Sequence, residues 1–256
     1  MIAVAMSAAP PSHGPLVQAL DDLWQQYAQS WKRLLSAGML KELVLRASFN
    51  PEPIPAWKVA NTIPKGTIPD CPTCTNICCA GLENVVSLRL RDIAMLIDLG
   101  RTDLMTKLKP NFPAWMLQDR PLLKELVASE LWRALPVMRQ VGSLQTCAAL
   151  NLNTLQCDLH PHWPTTCERF PYTLNVAQRQ VNWGTRCPSK HQSPTHLQRS
   201  ESMFRASIEA YNHRVRDAVL LAHARPMLAE MGLGDWITGP DEDPFEARPR
   251  GLDIIR

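Results

Sequence analysis

Four of the eight cysteines in this 256-residue chain fall within nine residues, Cys71-Pro-Thr-Cys74-Thr-Asn-Ile-Cys78-Cys79. Pro69, Asp70, Pro72 and Asn76 around them favour a turning backbone over a regular helix or strand. Such a loop can aim several sulfurs at one point. Thiolates are soft ligands that suit zinc or an iron-sulfur cluster, so the stretch reads first as a metal site.

A second group follows in Cys147-Ala-Ala-Leu-Asn-Leu-Asn-Thr-Leu-Gln-Cys157-Asp-Leu-His160-Pro-His162-Trp-Pro-Thr-Thr-Cys167-Glu-Arg-Phe-Pro171, and Cys187 comes after it. One tetrahedral ion takes four ligands, and a four-iron cluster takes about four thiolates. Eight cysteines therefore exceed one complete site. Three arrangements stay open: two zinc sites of four thiolates each, one iron-sulfur cluster with spare or second-site thiols, or a single centre with a redox-active pair. Cys78 and Cys79 are adjacent and rarely point the same way, so they serve either two centres or two irons of one cluster. Cys157-x2-His160 has zinc spacing, but with enough sulfurs present His160 and His162 are expected at the surface or behind the ligands. Arg169 either counters the negative charge near Cys167 or packs by its stem with its head in water.

The compartment decides how the cysteines are read. The opening Met1-Ile-Ala-Val-Ala-Met-Ser-Ala-Ala-Pro lacks a basic segment and a long apolar run, which argues against a secretory signal. No unbroken apolar run approaches the ~20 residues a membrane helix needs. The expectation is a cytoplasmic protein, where clustered cysteines bind metal or do redox work more often than they form disulfides. A formal charge of +3 and a pI near 8.4, with no tight basic cluster, argue against nucleic acid. The 45% hydrophobic and 20% charged composition is that of a globular chain.

These ligands need a scaffold, and the apolar periodicity supplies one made of helices. Leu16, Leu20, Leu23, Tyr27, Trp31 and Leu34 or Leu35 recur at helical spacing, with Gly38 as a stop. A short second helix is expected over residues 39 to 48. Pro51, Pro53, Pro55, Pro64, Pro69 and Pro72 predict an extended segment delivering the chain to the cysteine loop. Ser87 reads as an N-cap and Gly100 as the stop of a helix with Leu90, Ile93, Leu96 and Ile97 on one face. Pro121 opens another, halted before Pro136. The last runs from Glu201 to about Met231 with Ser200 as cap and Phe204, Ile208, Tyr211, Val215, Val219 and Ala222 on one face, until Pro226 bends or ends it. Its Arg205, Arg214, Arg216 and Arg225 read as a solvated face. No internal repeat and no strand signal strong enough for a sheet stand out. The predicted fold is mostly α, a helical body with irregular cysteine-rich metal-binding loops. A loose lead-in covers 1–14, one domain covers 15–231 with the cysteine cluster at 70–190, and a mobile tail covers 232–256.

Taken together, the compact cysteine loop, Leu88-x-x-x-Asp92-Ile-Ala in a helix, and the Cys…Cys…His…Pro-x-x-Cys-x-Arg-Phe-Pro run resemble the YkgJ-type cysteine-cluster family, a zinc- or iron-chelating domain. The resemblance spans roughly residues 70 to 190. The family's loop is Cys-x2-Cys-x2-Cys-Cys, and this chain has one residue more, Asn76 or Ile77, before the vicinal pair. Carried over by position, the resemblance implies Cys71, Cys74, Cys78, Cys79, Cys147, Cys157, Cys167 and Cys187 as metal ligands. The cysteine pattern is also similar to that of flagellin lysine N-methylases, which implies a 4Fe-4S-type iron-sulfur cluster and a transferase activity.

The leading expectation is a cytoplasmic protein that holds an iron-sulfur cluster or zinc through clustered thiolates. One alternative is a metal-dependent enzyme such as a lysine N-methylase-like transferase, although no Gly-x-Gly-x-x-Gly loop occurs and no nucleophile and base pair is marked. The other is an interaction protein with structural zinc. The partners expected are the metal ion or cluster, with no nucleic acid and no membrane; nothing in the sequence points to a protein partner.

Overall fold

The computed structural model describes residues 14–30, 53–70, 78–81, 85–108 and 135–237. Helix α1 is Pro15–Ala28, and Pro15 sits where a missing N–H is harmless. Its first free donors are met from another helix: Leu16 and Val17 N–H donate to the Asp98 carboxylate at 3.1 and 3.0 Å. Asp98 ends α2, Leu90–Asp98. The end of α2 therefore caps the start of α1, and the two helices pack against each other. Leu20, Leu23 and Trp24 of α1 and Ile93 and Leu96 of α2 are buried.

The start of α2 is not Ser87. Arg89 holds the cap position, and its N–H donates at 2.9 Å to Asp92, three residues on. Ser87 instead bridges to Val137. Gly100 follows α2 with φ of +67°, a left-handed stop that glycine adopts without strain.

The long helix, numbered α4 below, runs Leu197–His223 and carries the core. Ile208, Tyr211, Val215 and Val219 are buried along it as the spacing predicts, while Ser200 lies inside the helix and not at its cap. Ser200 is buried and accepts the Gly66 N–H at 2.9 Å. The helix ends at His223, and Pro226 falls in the next one, α5, Arg225–Leu228. A π turn and α6, Gly234–Ile237, then bury Leu233 and Ile237. Arg216 faces Asp21 and the Trp24 ring, and Arg225 donates to the Ile237 carbonyl, so these two arginines are not simply solvated.

The expectation of a mostly α fold is corrected: among the described residues 47% are helical and 19% lie in strands. In chain order the strands are β1 Ala60–Asn61, β2 Thr67–Pro69, β3 Met105–Leu108, β4 Leu135–Met138, β5 Gln140–Val141, β6 Thr146–Cys147, β7 Leu150–Asn151, β8 Gln156–Cys157, β9 Tyr172–Asn175, β10 Gln180–Trp183 and β11 Lys190–Gln192. They form a three-stranded sheet β1-β10-β9 and four separate pairs, β11-β2, β3-β4, β5-β6 and β7-β8. Strands of two to four residues are too short to show apolar alternation, which is why periodicity finds only the helices. The segment before the cysteine loop is extended as expected, but it pairs: β1 runs parallel to β10, and β2 runs antiparallel to β11. The expected helices at 39–48 and 121–135, and Trp31 and Gly38, lie outside the described residues except for Leu135, which begins β4. No helix among the described residues is long and apolar enough to cross a membrane.

Candidate metal centre

Between Arg139 and Asp158 the chain folds as two hairpins in tandem, ten residues each. The first, β5-β6, is closed by Ala148 N–H donating to the Arg139 carbonyl at 2.7 Å; the second, β7-β8, by Asp158 N–H donating to the Ala149 carbonyl at 2.8 Å. Each turn ends on a residue with positive φ, Gln145 at +50° and Leu155 at +54°. Two residues later each presents a cysteine, Cys147 and Cys157. In each, the N–H two residues further on, Ala149 in one and Leu159 in the other, acts on the thiol and lowers its pKa. This repeat was invisible as a sequence pattern because only its turn conformations and the cysteine at position nine of each unit recur.

Two other elements converge on these hairpins. The short segment 78–81 lies alongside the first: the Cys79 carbonyl accepts the Cys147 N–H at 2.7 Å, and Gly81 N–H donates to the Leu144 and Gln145 carbonyls at the hairpin's turn. Helix α3, Thr165–Arg169, brings Cys167 and packs on α4. The charges that act on Cys167 are, in order, those of Cys79, Cys147, Cys157 and Asp92. Cys79 of the early group is thus bonded through its backbone to Cys147 of the later one, and the charges of Cys79, Cys147 and Cys157 are felt at Cys167.

The electrostatics of the neighbourhood follow from burial. Burial pushes the Cys167 thiol up most strongly, and the neighbouring thiols push it further. Cys147 and Cys157 are raised mainly by burial too, against the lowering effect of the Ala149 and Leu159 N–H donors. Arg101 lowers Cys157 slightly, and Asp158 opposes it. Without a cation these thiols hold their protons; a bound divalent ion reverses that balance, because it outweighs every other local charge.

What fixes Cys167 is a residue that cysteine spacing does not reveal. Asp92 is buried, and one carboxylate oxygen accepts both the Thr165 N–H at 2.9 Å and the Thr165 hydroxyl at 2.7 Å, while the other takes the Arg89 N–H. A single side chain therefore starts α2 and pins the first turn of α3, two residues from Cys167. Arg169 donates to the Tyr172 carbonyl at 3.0 Å; burial lowers its pKa, and Cys167 pulls it back up, so it is both packed and close enough to feel the thiol.

The remaining candidates are placed differently. Cys78 is exposed beside Cys79. Cys187 is buried after β10, where its thiol donates to the Ser189 carbonyl at 3.3 Å and its own carbonyl takes the Trp183 indole N–H. Ser189 in turn donates to the Asp70 carbonyl, so Cys187 stands near the point where the chain enters the cysteine loop. Cys71 and Cys74 lie outside the described residues. His160 is exposed with its ring edge-on to Trp163 at 4.8 Å, and His162 is half-buried. Among the described residues no three His, Cys, Asp or Glu side chains gather closely enough to hold an ion. The donor set itself, several thiols, is of the kind that zinc and iron-sulfur clusters use.

No family model, curated protein or solved structure matches the chain.

Proposed function

We propose that the chain is a metal-binding protein whose thiolate centre, zinc or an iron-sulfur cluster, is built on Cys79, Cys147, Cys157 and Cys167. The observation that carries this reading is the tandem hairpin pair, which presents two sulfurs in matching backbone settings beside two more from the 78–81 segment and α3. The Ala149 and Leu159 N–H groups lower the pKa of these thiols, an effect that favours the thiolate a metal would take. The hairpins also need a clamp. Two-residue strands joined by four-residue turns are marginal in water on their own, and a four-sulfur centre would tie both to the helical body. Loading would draw together sulfurs that the fold brings to one neighbourhood, with Cys71 and Cys74 as further donors for the same or a second centre.

The test is elemental analysis and visible absorption of protein purified aerobically and anaerobically, alongside the C147S/C157S double variant. The expected result is stoichiometric zinc or iron in the parent chain and its loss in the variant. Parent protein that is folded, colourless and metal-free from both preparations overturns the proposal, as does a double variant with unchanged metal content.

A further inference from the structure

His191 and His196 flank a tight turn, with their ring centroids 5.2 Å apart and their planes inclined at 66°. His191 is exposed in the middle of β11, and His196 closes a short 3-10 turn, Pro194–His196, that leads into α4. No thiol takes part, since Cys187 donates to the Ser189 carbonyl.

The backbone holds both imidazoles in place. β11 is paired with β2, His191 opposite Ile68. Ser193 N–H then donates to the Gly66 carbonyl at 3.1 Å, and His196 N–H donates to the Ser193 carbonyl at 3.0 Å. The Ser193 hydroxyl caps the turn by accepting the Thr195 N–H at 3.3 Å. Gly66 is in turn fixed to α4, because its N–H donates to the buried Ser200 hydroxyl. Only side-chain rotation is left to bring the ring nitrogens together.

The separation fits a shared ion. Two imidazoles bound at ~2.0–2.1 Å to one tetrahedral cation place their centroids about 5 Å apart. An edge-to-face ring contact has the same spacing, and the two differ in their response to metal. The cations nearest in sequence are directed elsewhere. Alternation along β11 puts Lys190 on the face opposite His191, with its ammonium over the Trp183 ring at 5.2 Å, and the Arg199 guanidinium lies over Trp163 at 4.5 Å. Among the described residues no third His, Cys, Asp or Glu joins the pair, so water would fill the ion's other positions.

We infer that His191 and His196 together bind one divalent transition-metal ion of the zinc, nickel or copper class, for which imidazole is a suitable ligand. The site is separate from the thiolate centre and does not depend on it.

The test uses the full chain labelled with ¹⁵N histidine, its His191 and His196 resonances assigned by their loss in H191Q and H196Q. Paramagnetic Ni²⁺ is added at free concentrations set by a glycine buffer, so that uptake by cysteines does not shift the curve. His191 and His196 should broaden together in one saturable step, at ~100-fold lower free Ni²⁺ than the exposed His160 and His223, because the second imidazole binds at a high effective concentration. Each single variant should weaken binding at the remaining imidazole by a similar factor. A gap below ~10-fold from His160 and His223 overturns the inference, and so does a His196 midpoint that moves less than ~10-fold in H191Q. If H196Q does not fold, H191Q decides alone, since His191 is exposed and its substitution leaves the backbone pairing of β11 intact.

Discussion

Asp92→Ala is the substitution that most directly tests how the fold positions the centre. It removes an acceptor used by three donors, the Arg89 and Thr165 N–H groups and the Thr165 hydroxyl, at a site where both Asp92 and Thr165 are buried. A buried donor left without its acceptor costs ~1–3 kcal/mol, and the hydroxyl can rotate to another partner, so the two stranded backbone groups set the loss. Part of that is returned, because burial already raises the Asp92 carboxyl and its removal relieves an unfavourable desolvation. The net expectation is a loss of ~3 kcal/mol in urea unfolding of the metal-free, reduced protein. Asp92→Asn keeps a carbonyl oxygen for Thr165 and turns its amide towards the Arg89 N–H, so it should cost only ~1–2 kcal/mol.

The same change should reach the metal through Thr165, the first residue of the helix that carries Cys167. Loss of a group that orients a ligand typically weakens metal affinity ~10–100-fold, measured here by competition with a chromophoric chelator. An Asp92→Ala protein within ~0.5 kcal/mol of the parent would refute the packing argument. A protein that is destabilised yet binds metal as tightly as the parent would separate α3 from the centre and refute the positioning argument.

Three further outcomes are expected. Asp217 is pushed up from 3.8 to about 7, mainly by burial, so its stabilising contribution is complete below pH 3.8 and is lost, by at most ~4 kcal/mol, as pH rises to 7. His213 is pushed down from 6.5 to about 3, so its contribution is complete above pH 6.5 and is lost as pH falls to 3. Stability of the metal-free protein should therefore peak between about pH 4 and 6.5, and Asp217→Asn should flatten the upper limb of a plot of Tm against pH; an unchanged limb refutes the assignment. Gln145→Gly and Leu155→Gly relieve positive φ at the two hairpin turns and should each raise stability by up to ~1 kcal/mol with metal content unchanged, whereas a loss in both would contradict the turn geometry. Gly14→Ala places a methyl group on the Asp98 carboxyl that caps α1 and should lower Tm through a loss of ~1–2 kcal/mol; an unchanged Tm would show that this cap contributes nothing.

The helices were legible because burial writes a period of 3.6 into them. Leu20 and Leu23 in α1, Ile93 and Leu96 in α2, and Ile208, Val215 and Val219 in α4 are core positions by spacing and in the fold. Their ends were less legible, because the caps are tertiary. Asp98 caps α1 from across the helix pair, and Asp217 reaches from α4 to the Leu90 N–H at the start of α2. Ser87 and Ser200 have the chemistry of caps, yet one is drawn into a bridge to Val137 and the other into a buried bond to Gly66. Local propensity lost to packing at both.

The strands left no signal for a related reason, and that reason bears on the centre. Between residues 139 and 158 the fold is held by turn conformation and closing hydrogen bonds, with little apolar burial beyond Ala149 at the start of the second unit and Leu159 after it. A segment with so small a core of its own has to be stabilised from outside. In this chain the outside contacts converge on its cysteines: the 78–81 segment on Cys147 by a backbone bond, and α3 by the nearness of Cys167 to both hairpin thiols. Cysteine positions were readable from sequence because thiols are scarce. Their division was not, because it depends on which turns return the chain to the same place. Electrostatic coupling groups Cys79, Cys147 and Cys157 with Cys167, whereas Cys187 bonds to the Ser189 carbonyl near the entry to the loop at Asp70. A stabilising centre at the first set would explain why so little hydrophobic surface suffices to order the hairpins, and metal removal should then unfold residues 139 to 158 before it disturbs α4.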